Sequence, residues 1–309
     1  MAKLILMVGI PGSGKTTFAN TMFDEDTIIL SSDGIRKELF GSEADQDHND
    51  IVFQTLYSRA RENLANNKTV VLDSTNSSKE NRKRALSHFT NMNISISAIV
   101  IDTNLETCIK QNAQRERVVE ESVIKEFADS FSFPTKDEGF DEIITYTNHN
   151  GTFKRKLKTT LLMIVKDNKV CLAKKKRGFG AGLYNGVGGK VEPGESVEAA
   201  AIRETQEEAN VTVTDIKKVA NIVFDEFVKG YDTIVDMSVY ISNSYIGDLS
   251  ESNETEKPEW FDISDIPYDK MFPDDKFWLP EILNGNYVEG YFEYDKDLNL
   301  LSHNIKIIK

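Results

Sequence analysis

The sequence is poor in cysteine, histidine and long apolar runs, and each shortage closes off a class of protein. Cys108 and Cys171 are its two cysteines. They form no CxxC pair and are too few for a disulfide framework, so two buried thiols in a reducing compartment are expected. The four histidines, His48, His88, His149 and His303, show no ligand spacing and are assigned none of the chemistry. No stretch approaches the roughly 18 apolar residues that span a bilayer. The run Leu4–Ile10 is short and leads into a glycine-rich loop, so nothing resembles a targeting segment. These absences predict a soluble, cytoplasmic protein with no membrane partner. An excess of positive charge is missing too: the net charge is −13, and both halves of the chain are acidic. Sequence-independent binding along nucleic acid needs a basic footprint and is disfavoured, whereas small phosphorylated ligands or a local basic groove remain compatible. No repeat of fixed period and no low-complexity tract interrupts the chain.

What is present suffices for packed cores. Hydrophobic residues make up 39% of 309, a length that suits about two domains. In the first half, strand-like runs at Leu4–Val8, Thr27–Leu30, Thr69–Leu72 and Ile94–Ile101 are separated by helical patterns. The clearest helix has apolar residues at Val52, Phe53, Leu56, Tyr57, Ala60 and Leu64, a 3.6-residue period. That alternation predicts an α/β domain, a mainly parallel sheet covered by helices. The polar, glycine-containing segment 147–152 reads as a linker. The expected division is a first domain over 1–148, a linker over 149–156 and a second domain over 157–309. In the second half, strands are predicted at Thr159–Val165, Lys169–Ala173, Ile216–Phe227 and Thr233–Ile241, with a strong helix at Val197–Ala209. A short helix over Trp278–Leu283 and runs at Tyr287–Tyr294 and Asn299–Ile308 complete an α+β domain with a mixed sheet.

The segment Gly9-Ile-Pro-Gly-Ser-Gly-Lys15-Thr16 fits GxxxxGK(S/T) between a strand and a helix, as a P-loop requires. Glycines let backbone N–H groups turn inward around a phosphate, and the helix N-terminus adds a favourable dipole. Gly9, Gly12, Ser13, Gly14, Lys15, Thr16 and Thr17 form the expected ATP-binding set. In it Lys15 reaches the β/γ-phosphates and the Thr16 hydroxyl joins Mg²⁺. Asp73, ending the third strand, can hold that ion or its water. Asp33 follows the second strand, where a carboxylate can accept a proton from an attacking hydroxyl; it can equally cap the next helix. Arg115 and Arg117 lie in a lid-like segment where arginine neutralises transferring phosphoryl charge, although a solvated helix charge fits both, Arg117 more than Arg115.

These residues, with GIPGSGKTT at 9–17, DSTN at 73–76 and NAQRER at 112–117, resemble the polynucleotide 5′-kinase branch of P-loop kinases over about residues 1–145. The resemblance implies Asp33 as general base, Arg36 as a substrate-phosphate contact and Arg115 as the lid arginine. It leaves the acceptor open between a nucleic-acid 5′ end and a nucleoside. Val119-Glu120 stands where that family often has Val-Pro.

A second site is written in Gly189-Lys-Val-Glu-Pro-Gly-Glu195 followed by Arg203-Glu204-Thr-Gln-Glu207-Glu208-Ala-Asn-Val211. The spacing fits G-x5-E-x7-R-E-U-x-E-E-x-G-U, the Nudix box. On a helix, Glu204, Glu207 and Glu208 share one face and repel, a cost that Mg²⁺ or Mn²⁺ reverses. Arg203 can pair with Glu195 and orient the helix. Thr205 replaces an apolar residue and Asn210 the late glycine; asparagine tolerates the left-handed conformation at a helix end. The segments KKRGFGAG at 175–182, YNGVGGKVEPGES at 184–196, KPEWFDISDIP at 257–267 and KMFPDDKFWLP at 270–280 resemble the MutT-homologue branch of the Nudix hydrolases, the oxidised-purine nucleoside triphosphate diphosphatases, over about residues 157–309. The resemblance implies Gly188 as a carbonyl ligand to metal, Glu204, Glu207 and Glu208 as metal ligands, and Glu256 as a further ligand or base.

A base pocket follows from the chemistry of nearby side chains. Asp274 and Asp275 are adjacent acids in an aromatic setting that would keep one protonated, so that the pair both donates and accepts. Asn185 offers donor and acceptor together. Phe179, Phe272 and Trp278 can stack on a base or simply pack in the core, and a tight turn fits the Asp pair as well. Lys175, within a basic run, becomes a substrate contact beside GFGAG. Phe272 stands where the family has Trp, and Lys158 where it has Tyr. The sequence therefore predicts a bifunctional enzyme. One half hydrolyses purine nucleoside triphosphates to monophosphate and pyrophosphate, and the other transfers the ATP γ-phosphate to a hydroxyl. The alternative keeps the Nudix chemistry for NAD, ADP-ribose or capped RNA ends, with the P-loop domain as a nucleotide-binding regulator. Oligomeric state is not legible.

Overall fold

The computed structural model describes residues 1–115, 117–149, 151–178 and 180–309. Two compact units divide it, Met1–Arg155 and Lys156–Lys309.

In the first unit the chain runs β1 (Lys3–Val8), α1 (Lys15–Met22), β2 (Ile28–Ser31), α2 (Ser32–Phe40), α3 (Asn49–Ala65), β3 (Thr69–Asp73), α4 (Lys79–Ser87), β4 (Ser95–Ile101), α5 (Leu105–Asn112), α6 (Glu121–Asp129) and β5 (Glu142–His149). The sheet order is β2-β3-β1-β4-β5, and these pairings are parallel. Period-two alternation splits β1 between two cores. Leu4, Leu6 and Val8 pack with Leu56, Tyr57, Ala60 and Leu64 of α3, while Ile5 and Met7 face Phe18 and Ala19 of α1. A strand buried on both faces reads as a continuous apolar run, as β1 does. Side-chain caps start three helices: Ser31 accepts from the Gly34 N–H, Ser78 from Asn81 and Asn104 from Thr107. Parallel strands bring the loops after β1, β2 and β3 to the same edge of the sheet.

The segment expected as a linker, 149–156, lies largely in strands. β5 continues to His149, and β6 (Thr152–Lys166) folds back antiparallel on it, pairing Tyr146 with Arg155 and His149 with Thr152. Gly151 supplies the positive φ of the turn and donates its N–H to Asn148 Oδ1 at 2.9 Å. The residues paired here, 146–149 with 152–155, are mostly polar and carry the composition of a linker, which is why periodicity does not reveal the hairpin.

The second unit continues with β7 (Lys169–Lys174), β8 (Tyr184–Asn185), α7 (Val197–Ala209), β9 (Thr212–Val213), β10 (Ile216–Val228), β11 (Tyr231–Ser242), β12 (Tyr245–Ile246), β13 (Glu259–Asp262), α8 (Asp275–Leu283), β14 (Tyr287–Tyr294) and β15 (Leu300–Ile308). Its sheet is mixed: β10 and β14 pair in parallel, whereas β10–β11, β14–β15, β6–β7 and β7–β13 are antiparallel. Trp278, Leu279 and Ile282 of α8 pack on one set of strand residues, and Ala201 and Ala209 of α7 on another. Helix α7 begins at Ser196, whose hydroxyl accepts from the Ala199 N–H, and ends at Asn210 in the left-handed conformation, φ 58°. Thr205 fits its apolar position because its hydroxyl donates to the Ala201 carbonyl one turn back, at 2.7 Å. No helix among the described residues is long and apolar enough to cross a membrane.

Candidate functional sites

The loop between β1 and α1 is built around its glycines. Gly12, at φ 78°, lies so close to the Cys108 carbonyl that a Cβ would overlap it, and Gly14 opens α1 at φ 100°. The Lys15 ammonium donates to the Ile10 carbonyl at 2.9 Å, and the Thr16 hydroxyl to Asp73 Oδ2 at 2.7 Å. Desolvation pushes the Lys15 amine down to about 8, against the pull of Asp73. Burial likewise raises the Asp73 carboxyl, against the Thr16 hydrogen bond and the charge of Lys15. Asp33 and Arg115 act electrostatically on both, so four sequence-predicted groups meet at one sheet edge. The Ser13 hydroxyl is buried without a partner among the described residues, which a phosphate oxygen in the loop would satisfy. Thr17 lies on the exposed side of the first turn of α1.

The helix following β2 is capped by Ser31, which leaves Asp33 free of that task. Asp33 Oδ1 accepts instead from Arg36 at 2.6 Å and from Arg117 at 3.1 Å. Arg36 is buried, binds Asn49 Oδ1 at 2.7 Å, and keeps its Nε without a partner among the described residues. Arg117 also donates to the Glu43 carbonyl. Its engagement is not legible in sequence, where Arg115 is the stronger lid candidate. Asn112 holds the base of that loop closed through two hydrogen bonds with the Val119 backbone.

In the second unit Arg203 organises the acidic helix. Its Nε and Nη2 donate to the two oxygens of Glu195 at 2.9 and 3.0 Å, while Nη1 reaches Glu204 at 2.7 Å and Glu207 at 3.2 Å. The Glu195 bond holds the Arg203 guanidinium above its ordinary range. Glu208 is buried and accepts from the Gly188 N–H at 2.9 Å. Burial pushes its carboxyl up to about 7, with Glu204 and Glu254 adding repulsion. Burial also raises Glu204, with Glu207 and Glu254 acting in the same sense. Gly188 tolerates no side chain, since a Cβ there would overlap the Thr160 carbonyl, whereas a Cβ on Gly189 would stand 2.5 Å from the Glu204 carboxylate and push that side chain aside. Among the described residues no three acidic, histidine or cysteine side chains are already gathered as a metal cage. The donor chemistry nevertheless fits a hard divalent ion, since mutually repelling carboxylates share one helix face.

Glu256 is placed beside Lys174, 3.5 Å from its ammonium, with its backbone N–H on the Lys174 carbonyl. Glu254, two residues earlier, lines the cavity beside α7 and acts electrostatically on both Glu204 and Glu208; sequence spacing does not single it out. Ser252 accepts from the N–H groups of Glu254 and Thr255, and the Glu254 carboxylate accepts from Arg177 at 2.8 Å.

A cavity of about 1240 Å³ opens beside this helix, lined among others by Lys175, Asn185, Phe224, Phe272, Asp274 and Asp275. Asp274 and Asp275 are 3% and 2% exposed, and burial raises both carboxyls. Asp274 accepts from the Tyr294 hydroxyl at 2.6 Å and from the Trp278 indole at 2.8 Å, and Asp275 from the Phe272 N–H at 2.9 Å. Trp278 is fully buried in the core, so the packing alternative holds for it: it positions Asp274 rather than walling the cavity. Asn185 Oδ1 accepts from the Gly186 N–H. Lys175 lies close enough to lower Glu208 electrostatically. Phe179 lies outside the described residues.

Comparison with known proteins separates the same two parts. Residues 4–134 match the AAA domain and residues 154–282 the NUDIX domain. An oxidized purine nucleoside triphosphate hydrolase of Danio rerio is 41% identical over 146 residues, covering 47% of this chain and 92% of the relative. The protein of that name from Mus musculus is 37% identical over 147 residues, covering 48% and 92%. Among solved structures, a MutT protein from Bacillus halodurans aligns at 25% identity over 48% of this chain and 97% of its own, with a TM-score of 0.44.

Proposed function

The chain belongs to the Nudix hydrolases through its second half and carries an AAA-type P-loop domain in its first, and from that premise we propose a bifunctional enzyme with domains over 1–148 and 157–309. The second domain hydrolyses oxidised purine nucleoside triphosphates to monophosphate and pyrophosphate. The observation that carries this reading is the carboxylate face of α7 beside a cavity with two buried aspartates, phosphate chemistry next to base recognition. Glu204, Glu207 and Glu208, with the Gly188 carbonyl, would hold Mg²⁺ or Mn²⁺. Glu254, which lines the same cavity and acts electrostatically on Glu204 and Glu208, takes the role that the family resemblance assigns to Glu256. When bound, the ion polarises the attacking water and the phosphates. Arg203 keeps the helix carboxylates oriented, and Lys175 neutralises phosphate charge. Asn185 and Asp275 read the base, held in place by Phe272 and by Asp274 with its Tyr294 and Trp278 donors.

The first domain transfers the γ-phosphate of ATP to a hydroxyl, with the 5′-OH of a nucleoside or nucleic acid as the acceptor that fits best. Lys15 grips the phosphates, and Thr16 with Asp73 would hold Mg²⁺. Asp33 takes the acceptor proton, and Arg36, Arg115 and Arg117 surround the transferring charge. A cytoplasmic setting, with nucleotides as the partners, suits both activities. The test is a panel of 8-oxo-dGTP, 2-hydroxy-dATP, dGTP and dATP with Mg²⁺, scored for pyrophosphate against orthophosphate. Release of pyrophosphate, fastest from an oxidised purine, is expected. Orthophosphate alone, or turnover of NAD or ADP-ribose in preference, contradicts the reading.

A further inference from the structure

The cavity contains a third buried acid that the sequence does not single out. Glu226, on β10, is 9% exposed and lines the cavity. Phe224, two residues earlier on the same strand, points to the same side of the sheet and lines it too. The acid that acts electrostatically on Glu226 is Asp274, and the α7 carboxylates do not, so Glu226 stands at the base end of the cavity rather than the phosphate end. The three acids differ in what the protein gives them. Both Asp274 oxygens accept from protein donors, and Asp275 has one oxygen so engaged. Among the described residues no group donates to Glu226 or pairs with it. A buried acid with both oxygens open is costly, and native structures seldom keep one without a use. Burial, reinforced by Asp274, pushes its carboxyl up to about 7.

We propose that Glu226 is a specificity residue that reads the base of the bound nucleotide, selecting purines that present an amino group beside a ring N–H. Two oxygens of one carboxylate match two adjacent, parallel N–H donors. Guanine presents that pattern at its ring N1–H and 2-amino group, which oxidation at C8 leaves intact. The proposal rests on the cavity holding a purine nucleotide, as in the reading above, but not on turnover.

The test measures binding, so that it stands apart from hydrolysis. The dissociation constants of 8-oxo-dGMP and of its analogue lacking the 2-amino group are determined calorimetrically for the full chain, for Glu226→Gln and for Glu226→Leu. Wild type is expected to prefer the amino-bearing nucleotide by about 10- to 100-fold, the penalty for leaving a buried acceptor unmatched. The Glu226→Leu variant should erase the preference to within about threefold, the scatter of one weak contact, and Glu226→Gln, keeping one acceptor, should be intermediate. Equal affinities in wild type, binding of neither nucleotide, or an undiminished preference in Glu226→Leu overturns the assignment. A preference that follows Glu226 in a protein releasing no pyrophosphate from any purine triphosphate leaves the assignment standing and removes the hydrolase reading instead.

Discussion

Among the described residues, Arg203 bonds three carboxylates while the Glu226 carboxyl, in the same cavity, has no hydrogen-bond partner. The first arrangement holds acidic groups ready for a cation; the second leaves an acid whose charge the fold disfavours. Glu207 is the exposed member of the helix triad, so Glu207→Gln should leave the fold intact and lower hydrolysis by about 10²-fold or more, as loss of one electrostatic contributor does. Near-normal turnover at low Mg²⁺ would remove Glu207 from the site. For Glu226 the folded-state value, about 7, lies above the ordinary glutamate range, so the folded state binds the proton more tightly than the unfolded chain. Its contribution is therefore most favourable below the unfolded value, about 4.3, and declines as pH rises to about 7. Glu226→Gln should flatten that part of the stability-against-pH curve, measured by denaturant unfolding; an unchanged slope would show that the carboxyl is not buried and unpaired. Asp274 behaves differently because both its oxygens accept. In Asp274→Asn the amide nitrogen must face the Tyr294 or Trp278 donor, so a stability loss of about 1–3 kcal/mol is expected, from two donors left opposed. Asp275→Asn should change base selectivity more than stability.

Helix α7 concentrates what was readable at the level of elements. Its boundaries, acidic face, Arg203–Glu195 pair and left-handed Asn210 end were all legible, because helical spacing fixes which side chains share a face. Its start rests on one hydroxyl, so Ser196→Ala should cost about 1 kcal/mol, read from the denaturation midpoint; no measurable loss would mean that the cap is made elsewhere. The buried strands were equally legible as apolar runs. The β5–β6 hairpin was not, since its paired residues, 146–149 and 152–155, are mostly polar and its turn has the composition of a linker. Spacing along the chain also left three tertiary facts hidden. Arg117 reaches Asp33 across 84 positions. Glu254, held by Arg177 from 77 positions away, acts electrostatically on Glu204 and Glu208. Trp278 donates inward to Asp274 from the core instead of facing a ligand. In each case the residue type was visible and its direction was set by a partner distant in sequence or by a local turn.

For the molecule as a whole, the central claim is that one chain carries two independent phosphate chemistries. The P-loop groups, Lys15, Thr16, Asp33 and Asp73, fall within Met1–Arg155, whereas the α7 carboxylates and the cavity fall within Lys156–Lys309. The measurement that tests this most directly is a paired assay on wild type, Lys15→Ala and Glu207→Gln. Pyrophosphate release from 8-oxo-dGTP and transfer of the ATP γ-phosphate to a 5′-hydroxyl oligonucleotide or nucleoside are followed in the same preparations. The account predicts both activities in wild type, loss of transfer alone in Lys15→Ala, and loss of pyrophosphate release alone in Glu207→Gln. Loss of both activities in either variant, or a wild type that performs only one of them, would contradict it.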